Sequence, residues 1–208
     1  MTTWLHQQRL EAVRNVIRER GVRSILDLGC GEGDLIARLA DEAGAVRLVG
    51  VDLCARSLAR LQDRLEQGQC GRTCHVELVH GSLLELPARL KGFDCAVLVE
   101  TIEHLDADRL GRLERSVLGS LRPRTVIITT PNAEFNGLLG VPTHRFRHPD
   151  HRFEWDRGRF RRWAKGVAQR QEYEVRCEDI AGRHPQLGGA SQMAVFDLPD
   201  AAGQNRAA

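Results

Sequence analysis

The apolar pentapeptide Ser24-Ile25-Leu26-Asp27-Leu28 runs straight into Gly29-Cys30-Gly31-Glu32-Gly33, and a helical pattern begins at Asp34. No other feature of the chain restricts its fold as much. Glycines at alternate positions mark a turn whose backbone enters φ > 0 and lets a ligand approach closely, because no Cβ stands in the way. Such a turn between a strand and a helix belongs to open sheets with crossover helices, where ligands settle at the carboxyl ends of the strands.

The rest of the chain keeps this alternation of strand and helix. Leu5, Leu10, Val13, Val16 and Ile17 predict an amphipathic helix over 5–20, stopped at Gly21. Strands are expected at 47–51, 74–79, 94–99 and 125–129, and helices at 34–41, 55–66 and 106–120. The run Cys95-Ala96-Val97-Leu98-Val99 is apolar throughout, as a strand covered on both faces should be. Past Pro131-Asn132 an irregular stretch reaches about residue 156, a basic helix spans 157–170, and segments 173–179 and 192–197 form a closing hairpin. The expected fold is α/β and Rossmann-like, a mostly parallel sheet with a C-terminal antiparallel hairpin. One domain over residues 1–198, with an insertion at about 132–156 and a frayed tail at 199–208, accounts for the 208 residues.

The glycine spacing is Gly-x-Gly-x-Gly, and Asp34 stands where a dinucleotide-binding turn has its third glycine. With Asp27 ahead of it, the segment resembles the first motif of S-adenosylmethionine-dependent methyltransferases. That resemblance implies the methyltransferase form of the fold, with Gly29, Gly31 and Gly33 beside the methionine part of the cofactor and Asp27 facing its ammonium group. Asp52, with Leu53 next to it, ends the second strand, where a carboxylate can accept hydrogen bonds from both ribose hydroxyls. A carboxylate there also serves NAD, so Asp52 alone does not discriminate. Ser82 and Leu83 follow the third strand, where adenine lies in this fold.

Glu100, Glu103 and His104 follow the fourth strand. On a helical turn these positions share one face, so two carboxylates and an imidazole would converge. A histidine-rich segment, His144 to Trp155, lies past the fifth strand and emerges from the same end of the sheet. One histidine from it would complete a site of two glutamates and two histidines. Mixed oxygen and imidazole ligands suit Mn²⁺, Co²⁺ or Fe²⁺ rather than a thiolate-type structural zinc.

Three blocks then match something specific: Glu100-Thr101-Ile102-Glu103-His104-Leu105, Thr130-Pro131-Asn132-Ala133-Glu134-Phe135-Asn136, and Arg147-His148-Pro149-Asp150-His151-Arg152-Phe153-Glu154-Trp155. They resemble the signature blocks of the small-RNA 3′-terminal 2′-O-methyltransferases, the Hen-type family, and Ser191-Gln192-Met193-Ala194-Val195-Phe196 resembles that family's last strand. The resemblance implies methyl transfer from S-adenosylmethionine to the 2′-oxygen of an RNA's last nucleotide. It makes Glu100, Glu103, His104 and His151 the ligands of a divalent ion, with His148 the competing fourth ligand. Mn²⁺ is the first candidate, with Mg²⁺ and Co²⁺ behind it. Contact of that ion with both the 2′- and 3′-hydroxyls would lower the proton affinity of the first and restrict the reaction to RNA ends with both groups free. His104 or His148 would take the proton. An RNA end-healing and ligation protein is the implied partner.

Net charge bears on the substrate. The chain carries only +2, yet residues 144–165 hold eight cations and three anions, a local +5 that leaves −3 elsewhere. Phe146, Phe153, Trp155, Phe160 and Trp163 interleave with the arginines, a composition suited to nucleic acid, although Phe160 and Trp163 would face the core. A metal-dependent O-methyltransferase of small vicinal diols, and a non-catalytic RNA-binding module on the same fold, are the competing readings; Asp34 disfavours a dehydrogenase. The sequence shows no apolar run of membrane-spanning length and no signal-like N-terminus, so a cytoplasmic protein without membrane partners is expected. Its six cysteines are expected to be plain thiols.

Overall fold

The computed structural model describes residues 3–41, 44–68 and 74–199. Cys70 and the expected tail beyond Pro199 lie outside them. A seven-stranded sheet organises the chain: β1 (Ser24–Leu28), β2 (Arg47–Asp52), β3 (His75–His80), β4 (Cys95–Val99), β5 (Thr125–Pro131), β6 (Glu174–Ile180) and β7 (Ser191–Asp197). Their order is β3-β2-β1-β4-β5-β7-β6. The first five pair in parallel, and β7 runs antiparallel between β5 and β6. Strand order reverses between β1 and β4, which opens a crevice at their carboxyl ends.

Alternation along the central strands explains why both faces are covered. Leu26, Leu28, Val49, Val51, Ala96, Leu98, Val126 and Ile128 enter one core, while Ile25, Leu48, Cys95, Val97 and Ile127 enter the other. Helices α1 (Trp4–Glu19), α2 (Asp34–Ala40) and α3 (Ala55–Glu66) cover the second face, through Leu10, Val13, Leu35, Ile36, Leu58 and Leu61. Helices α4 (Leu110–Glu114) and α5 (Arg157–Gln171) cover the first, through Leu110, Leu113, Phe160, Ala164 and Val167. Two side-chain caps fix helix starts: the Thr3 hydroxyl accepts from the His6 N–H, and Asp156 accepts from the Arg159 N–H at 2.7 Å.

Two expectations need correction. The segment 106–120 is not one α-helix but a 3₁₀ turn at Ala107–Arg109, the short α4, and a wider π-turn at Arg115–Leu121. Gly111 and Gly119 lie within it and lower its α-helical propensity. The stretch after β5 is not wholly irregular, because Asn132 caps a 3₁₀ segment at Ala133–Leu139 by accepting from the Glu134 N–H. Of the six cysteines, Cys30, Cys54, Cys74, Cys95 and Cys177 are free thiols. No helix among the described residues is long and apolar enough to cross a membrane.

Candidate active site

The glycine turn occupies the crevice. Gly29, Gly31 and Gly33 have φ of 82°, 53° and 79°, the left-handed region. They are not equivalent. A Cβ on Gly29 would come within 2.6 Å of Thr101, one on Gly33 would run into Leu61, and one on Gly31 would meet nothing within 4 Å. Gly29 and Gly33 are thus glycine for the protein's own packing, whereas Gly31 borders open space. That space is a cavity of about 390 Å³ lined by His6, Asp27, Gly29, Gly31, Asp34 and Glu100, among others.

Asp27 is 4% exposed, and burial, reinforced by the negative charge of Asp52, pushes its carboxyl up to about 7. Asp52 closes the turn by accepting from the Gly31 N–H at 2.8 Å and the Cys54 N–H at 2.7 Å. Leu53 is 65% exposed at the end of β2. The Ser82 hydroxyl accepts from the Leu84 N–H and shapes the turn after β3. The Leu83 side chain is buried with Leu90 and Phe93 in the core. An apolar side chain in that turn gains more from core burial than from the crevice edge.

Glu100, Glu103 and His104 do not share one helical face. Glu100 stands at φ 50°, outside any helix, and the 3₁₀ turn starts only at Ile102. A non-glycine residue there costs of order 1–3 kcal/mol, as strained backbone at functional sites does. The Glu100 N–H donates to the Thr129 carbonyl at 3.1 Å, and its carboxylate accepts from the Thr129 hydroxyl at 3.0 Å and pairs with Arg9 at 3.1 Å. Glu103 is fully buried, accepts from the Thr130 hydroxyl at 3.0 Å through Oε2, and leaves Oε1 without a hydrogen-bond partner among the described residues. Burial, and after it the charge of Glu100, raises its carboxyl well above the ordinary range.

His104, His148 and His151 come together with ligand atoms within 4.8 Å of one another. The sequence left His148 and His151 as alternatives; the fold brings both to His104. They differ in support. The His151 side chain is 8% exposed, and its Nδ1 lies 2.6 Å from Glu154 Oε1. Glu154 in turn accepts from the Arg147 N–H at 2.8 Å and from Asn136 at 2.6 Å. A carboxylate on Nδ1 sets the tautomer and frees Nε2, the usual arrangement behind a metal-bound histidine. His148 is 54% exposed, and its Nδ1 accepts from the Asp150 N–H at 3.2 Å. Burial, followed by the neighbouring His151 and His148, lowers the His104 pKa, which keeps its ring neutral. The three imidazoles are a donor set that fits a divalent ion, while Glu100 and Glu103, expected as ligands beside them, do not fall within this ligand group among the described residues.

The basic segment is less free than its composition suggests. Arg147 is an internal brace that donates to the carbonyls of Asn132 and Ala190 and to Asn136. Arg157 pairs with Glu134 and Asp179, Arg161 with Asp179, and Arg152 with Asp106. Phe160 is buried as expected, while Trp163 is only partly so. The roles of other supporting residues were not legible in the sequence. Arg9 reaches from α1 to Glu100 and Ser191, and Asn132 donates to the carbonyls of Leu187 and Gly189. Glu154 lies inside a recognised block, yet nothing in the block reveals its bond to His151.

Comparison with known proteins follows this geometry. A family model described as a methyltransferase domain matches residues 25–124. The chain is 38% identical over 92% of its length to the small RNA 2′-O-methyltransferase of Mus musculus, covering 50% of that protein. It is 33% identical to that of Arabidopsis thaliana over 92% of its length, covering 22% of that protein. It therefore spans half or less of these two relatives. The crystal structure of the methyltransferase domain of bacterial CtHen1 superposes with a TM-score of 0.80 at 35% identity, covering 93% of this chain and all of that one. At that identity and with that whole domain covered, the chain belongs to the Hen1 family as a methyltransferase domain.

Proposed function

We propose that this chain transfers the methyl group of S-adenosylmethionine to the 2′-hydroxyl of the 3′-terminal nucleotide of an RNA, with one divalent ion in the site. The observation that carries this reading is Glu103: a fully buried carboxylate with one unpaired oxygen, next in the chain to the three-histidine group. A carboxylate buried in this way either takes up a proton or gains a compensating cation, and a divalent ion in the site would supply the cation.

Glu100, Glu103, His104 and His151 would hold the ion, Mn²⁺ first, with Mg²⁺ and Co²⁺ as the other candidates. Such an ion supplies positive charge that lowers the proton affinity of a nearby hydroxyl. The chain does the rest. The turn at Gly29, Gly31 and Gly33 gives the cofactor's methionine end close access to the backbone, and Asp27 offers a carboxylate to its ammonium. Asp52 faces the ribose end, with Leu53, Ser82 and Leu83 around the nucleoside; Leu83 acts from beneath, through the core. Glu154 holds His151 in one tautomer. His148, more exposed than His151, accepts the 2′-hydroxyl proton, and the Asp150 carboxylate 3.8 Å from its Nδ1 stabilises the resulting imidazolium. Fixing nucleophile and methyl donor in one crevice supplies much of the rate.

A site that recognises both ribose hydroxyls accepts only a chain end, since an internal nucleotide has no free 3′-hydroxyl. A protein that heals or ligates RNA ends is the partner this chemistry suggests, because it produces or consumes the same end. The test is label transfer from radiolabelled S-adenosylmethionine with Mn²⁺ and short RNAs. RNA ending in both hydroxyls should be labelled, and its 2′-deoxy and 3′-deoxy versions should not. Equal labelling of the 3′-deoxy RNA would contradict the two-hydroxyl reading.

A further inference from the structure

Beside the histidine group, the α4–π-turn segment and α5 enclose a cleft of about 740 Å³, lined by Leu110, Glu114, Arg115, Trp155, Arg159 and Trp163 among others. Trp155 is 4% exposed, and its indole Nε1 has no hydrogen-bond partner among the described residues. An indole N–H buried in this way normally finds an acceptor. The ring itself is held firmly. Phe153 stacks on it at 4.3 Å, the Arg159 guanidinium lies 5.1 Å from its centroid, and Trp163 packs at 5.7 Å. Arg115 and Arg159 are exposed, and neither forms a close ion pair with a carboxylate among the described residues, although the Arg115 charge acts on Glu114. Glu114, the acidic residue of the cleft, is ion-paired with Arg170 and accepts a hydrogen bond from the Gln171 amide.

The cleft adjoins the candidate active site. Trp155 lies four residues beyond His151, and Ala107, also in the wall, three beyond His104. Extended chain covers at most about 14 Å and about 11 Å over those intervals, a reach of one or two nucleotides. Two indoles, two unpaired guanidinium groups and an unsatisfied donor match a base with its phosphate.

We propose that this cleft binds a nucleotide of the RNA strand upstream of the reacting 3′ end. Its base lies against Trp163, its phosphate pairs with Arg115 and Arg159, and the Trp155 N–H donates to it. This rests on the reading of RNA as substrate. Stacking uses the π-face common to all bases, so the cleft holds the strand without selecting its sequence.

The experiment measures binding of a ten-nucleotide, 3′-terminally 2′-O-methylated RNA to the full chain by tryptophan fluorescence, with S-adenosylmethionine affinity measured in parallel. Trp163→Ala and the double variant Arg115→Ala, Arg159→Ala should each raise the RNA Kd about 10-fold. Trp163→Phe should restore most of the loss, and the arginine variant should show a shallower salt dependence. Cofactor affinity should stay at the wild-type value in all of them. If Trp163→Ala fails to fold, the arginine variant, altered only at the surface, decides. RNA affinity unchanged within twofold in that variant would overturn the cleft assignment and leave the RNA reading intact. No binding of RNA by the unaltered chain would overturn both.

Discussion

The two halves of the sheet's carboxyl edge are built on opposite plans. On the β1–β2 side the candidate cofactor pocket is made of backbone: three glycines at positive φ, and Asp52 bonded to the Gly31 N–H. On the β4–β5 side the candidate ligands are side chains from segments far apart in sequence: Thr129 and Thr130 hold Glu100 and Glu103, and Glu154, itself held by Asn136 and the Arg147 N–H, holds His151. Backbone geometry is set by local sequence, whereas a convergent polar group depends on partners that only the fold supplies. The first half should therefore fail through strain, and the second through loss of one supporting bond.

The sharpest contrast is expected at Glu103. Glu103→Gln should reduce methyl transfer at least 100-fold while raising the melting temperature, because an unpaired buried carboxylate gives way to a neutral amide. Label transfer and a thermal melt on the same preparation check both. Lower stability would show that the carboxylate is structurally satisfied.

Asp27 gives a pH-dependent difference. Its carboxyl is raised to about 7 in the folded chain from an ordinary value near 4. A raised folded pKa means that the native state binds the proton more tightly, so stability is greatest below about pH 4 and is lost as pH rises through 7. Cofactor-free Asp27→Asn should escape that loss and exceed the wild type by roughly 3–4 kcal/mol at pH 8, with no difference near pH 4. Urea unfolding at both pH values measures it, and a constant difference would remove the pH linkage.

Within the turn, Gly33→Ala should cost roughly 2–4 kcal/mol, combining left-handed backbone strain with crowding against Leu61. Gly31→Ala has only the backbone part, about 1–2 kcal/mol, because its Cβ meets open space. Equal costs would mean that the two glycines serve the same purpose. On the other half, Glu154→Gln should weaken divalent-ion affinity about 10–100-fold and leave S-adenosylmethionine affinity unchanged. Calorimetric titration with each ligand separates the two.

The same contrast explains what could be read from the sequence. Strand and helix order, sheet type and the glycine turn were legible because each is a local pattern of period two, period 3.6 or glycine spacing. The stretch 106–120 kept its helical pattern but not its regular form, since periodicity does not report a π-turn. Glu100, Glu103, His104 and His151, with His148 as the competing ligand, were nameable through a family resemblance, whereas the grouping of His104, His148 and His151 appears only in the fold. The supporting roles of Arg9, Asn132, Arg147 and Glu154 went unread, although the last three stand in the matched blocks, because such bonds reach partners up to 182 residues away or backbone carbonyls and leave no mark in a sequence. Arg147 shows the cost of counting charge alone: composition assigns it to a solvent-facing patch, and the fold spends it on the carbonyls of Asn132 and Ala190.

The central claim is that the β4–β5 half holds a divalent ion independently of the cofactor pocket. Calorimetric titration of the chain with Mn²⁺ tests it most directly. The wild type and Asp27→Asn should each bind one ion per chain with the same affinity, and Glu103→Gln and His151→Ala should each lose it. Mn²⁺ binding of equal strength in all four proteins would contradict the account.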